Sequence, residues 1–255
     1  MPVGVSLYKT DDNGLLYTVR DIKFKGHKLM VILAMVPTQR ELDSLTTSMK
    51  GHNGYAQLGR VSVQKYFSGQ LLVSLGGVGK AQMGVQSQYL IDRIPELRLV
   101  ICVGTAGALV GKLDPGDVVV ATSTIEHDFI SGLVPAPQPE FFGDADTISF
   151  LQSLKENSLV SFRVKFGSVA SGDESVISSH RKESIYLSTG SYAVAFEGAG
   201  AARACEFSMM PFLELRAISD SADENAKIDF FSNIPLAMGH IGIILEFLAE
   251  VNSSI

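Results

Sequence analysis

Apolar residues fall along this chain in short unbroken runs rather than in evenly gapped stripes. Residues 28–35, 99–103, 118–123 and 210–216 are runs of this kind, and they read as strands buried on both faces of a parallel sheet. Residues 61–67 and 70–75 flank Ser68-Gly69 as a β-hairpin, and residues 161–170 and 192–196 add further strands. Helical spacing is read over 82–93, 147–157 and 229–251, and 198–205 is a helix of small residues able to pack tightly against a sheet. Pro37 opens another helix directly after the first buried strand. Strands alternating with helices in this way predict an α/β chain, a three-layer α/β/α sandwich around a central mixed, twisted sheet. Residues 1–27 are polar and turn-rich, with a hairpin turn expected at Asp11-Asp12-Asn13-Gly14. They form an N-terminal extension ahead of a single domain over 28–255.

Composition narrows the function. With 21 basic and 27 acidic residues and a formal charge of -6, the chain lacks the electrostatic footprint of a nucleic-acid binder or of a protein drawn to an anionic membrane. A small-molecule substrate is expected instead. No apolar run is read as membrane-spanning and no leader pattern is present, so a cytoplasmic location is expected. Cys102 and Cys205 stand in apolar surroundings without metal or redox spacing and read as reduced core residues. No metal or organic cofactor is expected, because no cluster of ligands appears.

Chemistry gathers at the ends of the runs, where open α/β sheets bind ligands. After 210–216 come Arg216, Ser219, Asp220 and Asp223 within eight positions. A polar loop that caps the next helix would have the same composition. The glycine-rich residues 74–84 read as a strand-to-helix turn that aims backbone N–H groups at an anion or polar ligand, though they match neither nucleotide-binding glycine motif. Residues 104–108 read as a second small-residue turn. His127 beside Asp128 reads as a satisfied structural histidine, since neighbours on a strand diverge. The Pro-rich residues 133–139 read as a loop, serving as a flap or an interface arm.

Four separated segments resemble the nucleoside phosphorylase and nucleosidase superfamily, and within it the 5′-methylthioadenosine/S-adenosylhomocysteine nucleosidases. They are GGVGKAQMG (76–84), VGTAGAL (103–109) with DPGDVVV after it, SGD (171–173), and FEGAGAA (196–202) followed by RAISDSAD (216–223). The resemblance implies a nucleoside phosphorylase-like fold, a homodimer, and hydrolysis of a purine nucleoside to free adenine and a ribose derivative. It implies that Asp220 protonates or hydrogen-bonds N7 of adenine, oriented by Ser219, and that Arg216 lies near the attacking water. Glu197 grips the ribose hydroxyls and Phe196 packs on the sugar. Thr105, Ala106 and Gly107 line the base and nucleophile side.

This chain departs from that pattern at two places. The family's water-activating glutamate falls at Thr38, or at Gln39 with one insertion, and neither side chain is a general base. Thr38 is therefore counted only as a substrate-lining position, and Glu41 is expected to substitute only if the loop were rearranged. After SGD the family tends to place an aromatic on the base, whereas this chain has Glu174, Ser175 and Val176, with Val176 taken as the lining residue. Two alternatives follow. One is a phosphate-dependent phosphorylase, although Cys102 stands where those enzymes bring in an arginine. The other is a nucleoside-binding relative that has lost catalysis.

Overall fold

The computed structural model describes residues 7–10, 16–19, 31–133, 136–156 and 160–253. In chain order the elements are β1 (Leu7–Thr10), β2 (Leu16–Val19), β3 (Val31–Val36), α1 (Gln39–Ser48), β4 (His52–Leu58), β5 (Val61–Tyr66), β6 (Leu71–Leu75), α2 (Lys80–Ile91), β7 (Leu97–Ala108), β8 (Val118–Glu126), β9 (Glu140–Phe142), α3 (Ala145–Glu156), β10 (Val164–Ser171), α4 (Ser179–Thr189), β11 (Ala193–Ala195), α5 (Gly198–Phe207), β12 (Phe212–Asp220) and α6 (Ala226–Ser253). β1 and β2 pair antiparallel, as a hairpin requires. The turn expected at residues 11–14, the start of the 28–35 run and residues 134–135 of the Pro-rich loop lie outside the described residues.

One ten-stranded sheet runs β11-β10-β8-β12-β7-β3-β6-β5-β4, with β9 on β8. Parallel pairs dominate its centre, β3 with β6 and β7, and β7 with β12. The sheet is mixed because β12 meets β8 antiparallel and β4, β5 and β6 form antiparallel neighbours. β11 pairs with both β10 and β7, so that end of the sheet curls back on itself. One face is covered by α1, α3 and α6 through Leu45, Leu151, Met238 and Ile241. On the other face, α2 and α5 bury Met83, Leu90, Ala201 and Cys205. The expected layering is thus observed, and both cysteines are free thiols in the core.

Several local expectations change. Residues 104–108 are no turn: β7 continues through them, because β12 pairs with Gly104 to Gly107 along one edge and β11 takes up Gly107 and Ala108. Likewise β12 does not give way to a polar loop after Arg216 but runs, fully buried, to Asp220. β4 went unread since it lies at the sheet edge and is mostly exposed, without an apolar run. Finally, α6 is long and apolar enough over Ala226–Glu250 to span a membrane by length and composition, which the short-run reading did not anticipate. Here its apolar face packs against α1 and β12, with Ala237, Met238 and Ile241 fully buried.

Candidate active site

The carboxyl ends of β3, β7 and β12 converge on one patch, where parallel strands leave their ligands. Glu41, Glu197, Glu214, Arg216 and Asp220 expose only 2, 3, 0, 1 and 8% of their surface. Five ionisable side chains buried together need partners, and the partners divide them into two groups.

The first group centres on Arg216. Its Nε donates to Glu214 Oε1 at 2.7 Å, its Nη2 to Glu197 Oε2 at 3.1 Å, and its Nη1 to the Thr105 carbonyl at 3.4 Å. Glu41 reaches the same place from α1. Its Oε1 accepts from the Thr105 N–H at 2.8 Å and from Thr105 Oγ1 at 2.7 Å. A side chain at Gly104 would put a Cβ 2.6 Å from Arg216 Nη1 and 3.1 Å from Glu41 Oε1. Glycine at this position therefore lets the guanidinium and the Glu41 carboxylate face one another.

Local sequence explains how Glu41 is held. Thr38 caps α1 by accepting the Glu41 N–H, and Glu41 Oε2 reaches back to the Thr38 N–H at 3.2 Å and to Thr38 Oγ1 at 2.7 Å, a reciprocal capping box. That turn aims the carboxylate inward with no rearrangement of the loop, contrary to expectation. The signal was present in the sequence, Thr followed three residues later by Glu at a helix start. Thr38 itself, predicted as a lining residue, spends its hydroxyl on the cap.

Glu197 closes β11 and precedes α5. Besides Arg216 it accepts from the Gly79 N–H at 3.4 Å, and the next N–H of the glycine-rich turn, that of Lys80, goes to Asp173 Oδ1 at 2.8 Å. The N-terminus of α2 thus meets two carboxylates of its own chain, where the sequence suggested an external anion. Burial pushes the Glu197 carboxyl above its ordinary value, with Arg216 pulling it down and Glu41 reinforcing the rise. Phe196 is half-buried beside it, and its carbonyl accepts from Ser171 Oγ of the SGD turn at 2.9 Å.

The second group is Asp220 and its neutral donors. Asp220 Oδ2 accepts from Ser219 Oγ at 2.7 Å and Oδ1 from the Ala222 N–H at 2.9 Å, so Ser219 does hold Asp220 as expected. The register of β12 slips against β7 between Ile218 and Asp220, leaving Ser219 as an extra residue. Such a bulge re-aims the side chain that follows, and Asp220 consequently faces Gly107. Burial raises the Asp220 carboxyl, opposed only by the Ser219 and Ala222 hydrogen bonds and reinforced by Asp223 and Asp229. Ala222 packs with Val176, Leu109 and Ile185, which places Val176 at this end.

Thr105, Ala106 and Gly107 join the two groups, Thr105 bonded to Glu41 and Gly107 against Asp220. Ala106 alone lies between Thr105 and Gly107, a backbone rise of roughly 7 Å from one to the other. Of the predicted residues, Asp220, Ser219, Arg216, Glu197, Thr105, Ala106, Gly107, Phe196 and Val176 line this stretch of strand ends. Sequence reasoning undervalued Glu41 and missed Glu214, a charged residue inside a run read as apolar. Among the described residues no group of three or more His, Cys, Asp or Glu side chains is placed to hold a metal ion.

His127 and Asp128 do not act as a pair. Asp128 bonds Lys80 Nζ and the Asp173 N–H at 2.5 and 2.9 Å, whereas both ring nitrogens of the buried His127 lack hydrogen-bond partners. Among the described residues the histidine has Glu174 Oε1 3.6 Å from its Nδ1 but no hydrogen bond, so it is not the satisfied histidine expected, and burial holds its imidazole below the ordinary value.

The geometry matches known proteins over most of its length. The family profile described as the phosphorylase superfamily matches residues 28–246. A 5′-methylthioadenosine/S-adenosylhomocysteine nucleosidase of an Exiguobacterium species is 34% identical over 63% of this chain and 72% of its own. An aminodeoxyfutalosine nucleosidase of Helicobacter pylori is 31% identical over 65% of this chain and 74% of its own. Among solved structures, the 5′-methylthioadenosine/S-adenosylhomocysteine nucleosidase of Neisseria meningitidis, in complex with methylthio-immucillin-A, superposes with a TM-score of 0.75 at 28% identity, covering 88% of this chain and 99% of that one.

Proposed function

The chain belongs to the phosphorylase superfamily, among its nucleosidases, and from that premise we propose that it hydrolyses the N-glycosidic bond of 5′-methylthioadenosine- or S-adenosylhomocysteine-like nucleosides to release free adenine. One observation carries the reading: a carboxylate fixed by hydrogen bonds, Glu41, and a carboxyl raised by burial, Asp220, stand at opposite ends of the Thr105–Gly107 backbone. Cleavage of this bond develops positive charge on the sugar and negative charge on the departing base. Asp220, whose carboxyl is raised by burial, serves as the acid toward N7 of the purine. Glu41 takes the proton of a water that attacks the anomeric carbon, and Glu197, steadied by Arg216, accepts the ribose hydroxyls. Both curated relatives above are named as nucleosidases, which supports hydrolysis over transfer to phosphate. With Glu41 available as the base, the motive for a non-catalytic relative falls away.

We propose further that the chain pairs with a second copy. What supports this is a neighbourhood of exposed apolar side chains on α2, β9 and the end of α5, namely Val85, Phe142, Phe207 and Met209.

Incubation of the purified protein with 5′-methylthioadenosine, with and without inorganic phosphate, tests the assignment. Free adenine is expected in both, together with a reducing sugar. Release only with phosphate would make the protein a phosphorylase, and no release in either would remove the enzymatic assignment for this substrate.

A further inference from the structure

Glu214 is a buried carboxyl to which the reaction above gives no task. It lies on β12 two residues before Arg216 and so projects from the same face of the strand. Its Oε1 accepts from Arg216 Nε at 2.7 Å and its Oε2 from Thr124 Oγ1 of β8 at 2.5 Å. The backbone at Gly198, directly after Glu197, comes so close that a Cβ there would lie 2.1 Å from Glu214 Oε2. The chain segment that carries Glu197 is therefore folded down onto Glu214.

Counting charges sharpens the point. Glu197 and Glu214 both pair with one guanidinium, with Glu41 buried nearby on Thr105, and burying more carboxyls than there are cations to pair them is a poor way to gain stability. Resting on the nucleosidase reading, we propose that Glu214 is a positioning residue acting through Arg216. It engages the Nε edge, so that Nη2 is aimed at Glu197 and Nη1 lies along Thr105. It also offsets the arginine's charge, so that the pocket beside Glu41 does not attract an oxyanion. Water is then the nucleophile, because an anion such as phosphate meets buried carboxyls and a guanidinium already paired by Glu197 and Glu214.

The test compares the wild type with Glu214→Gln, Glu214→Met and Thr124→Val, measuring adenine release from 5′-methylthioadenosine at increasing inorganic phosphate, with Tm as a check on folding. The wild type is read first: if it releases no base, the nucleosidase reading fails, whatever the variants do. With an active wild type, both Glu214 variants are expected to lose about tenfold in kcat with less than about threefold change in KM. Phosphate should inhibit them at concentrations about tenfold lower than the wild type needs, since Arg216 is then countered by Glu197 alone. Thr124→Val keeps the charge and loosens its aim, so kcat should fall by about threefold with no new sensitivity to phosphate. Folded Glu214 variants with wild-type kcat and wild-type response to phosphate would overturn the proposal. Should neither fold, a Thr124→Val enzyme with wild-type kcat would overturn it.

Discussion

The two ends of the candidate site use the same functional group in opposite surroundings. At the sugar end, Glu197 and Glu214 share Arg216, and Glu41 beside them is fixed by four hydrogen bonds from Thr38 and Thr105. At the base end, Asp220 has only a hydroxyl and one backbone N–H, and the charged groups that act on it, Asp223 and Asp229, are acidic. A carboxyl beside a guanidinium is placed to accept a proton or a hydroxyl hydrogen. A buried one with no cation is placed to keep a proton and hand it over. The proposed division of labour between base and acid is therefore a matter of surroundings, since the side chains differ by no more than a methylene.

The most severe test removes the proton from the base end. Asp220→Asn keeps the shape and the contacts with Ser219 and Ala222 and should lower kcat by about a thousandfold, measured by adenine release. The same variant reads the sign of the pKa shift. Because the folded carboxyl is raised, the unfolded chain loses its proton first as pH rises. The stability contribution is whole below the unfolded value and is lost as pH climbs through the folded value. Asparagine has nothing to titrate, so Asp220→Asn should melt higher than the wild type at pH above the folded carboxyl's raised value, and the fall in kcat/KM as pH rises through that value should be missing from its residual activity. A variant that is inactive but melts lower at every pH would place Asp220 in the structure rather than in the chemistry.

At the sugar end, Glu41→Gln should lower kcat by about a hundredfold with little change in KM. An unchanged kcat would mean that the water is activated elsewhere and that the contrast between the two ends is false. The mildest change separates the helix cap from the chemistry. Thr38→Ala removes one partner of the capping box and should cost about 1 kcal/mol of stability, visible as a Tm lower by roughly 2–4 °C. Its kcat should fall far less than that of Glu41→Gln, because the Thr105 bonds still hold the carboxylate.

Most of the sheet was legible because its central strands are buried on both faces, and burial on both faces writes itself as an apolar run. β4 was not, since a strand at an exposed edge needs no such run. The reading also stopped β7 and β12 too early. Small and charged residues look like loop wherever propensity alone is considered, and only the pairing of Gly104 to Gly107 with β12, joined by β11 at Gly107 and Ala108, makes them strand. For the site, RAISDSAD pointed to Asp220 and Arg216, but the bulge at Ser219 that aims Asp220 is a property of register, which a single strand cannot announce. Glu41 was undervalued because position along the chain was weighed above helix-start chemistry. Glu214 was passed over because one carboxyl among apolar neighbours gives no hint of which cation it will find.

The Thr38–Glu41 turn has one more consequence. The residue that completes the first turn of α1 is the one that faces the nucleophile, so the endurance of the fold and the speed of the reaction hang on one side chain. Helix ends loosen before sheets do. On warming, activity is therefore expected to fall before the ten-stranded sheet melts, which a thermal loss of kcat at temperatures below the melting transition would show.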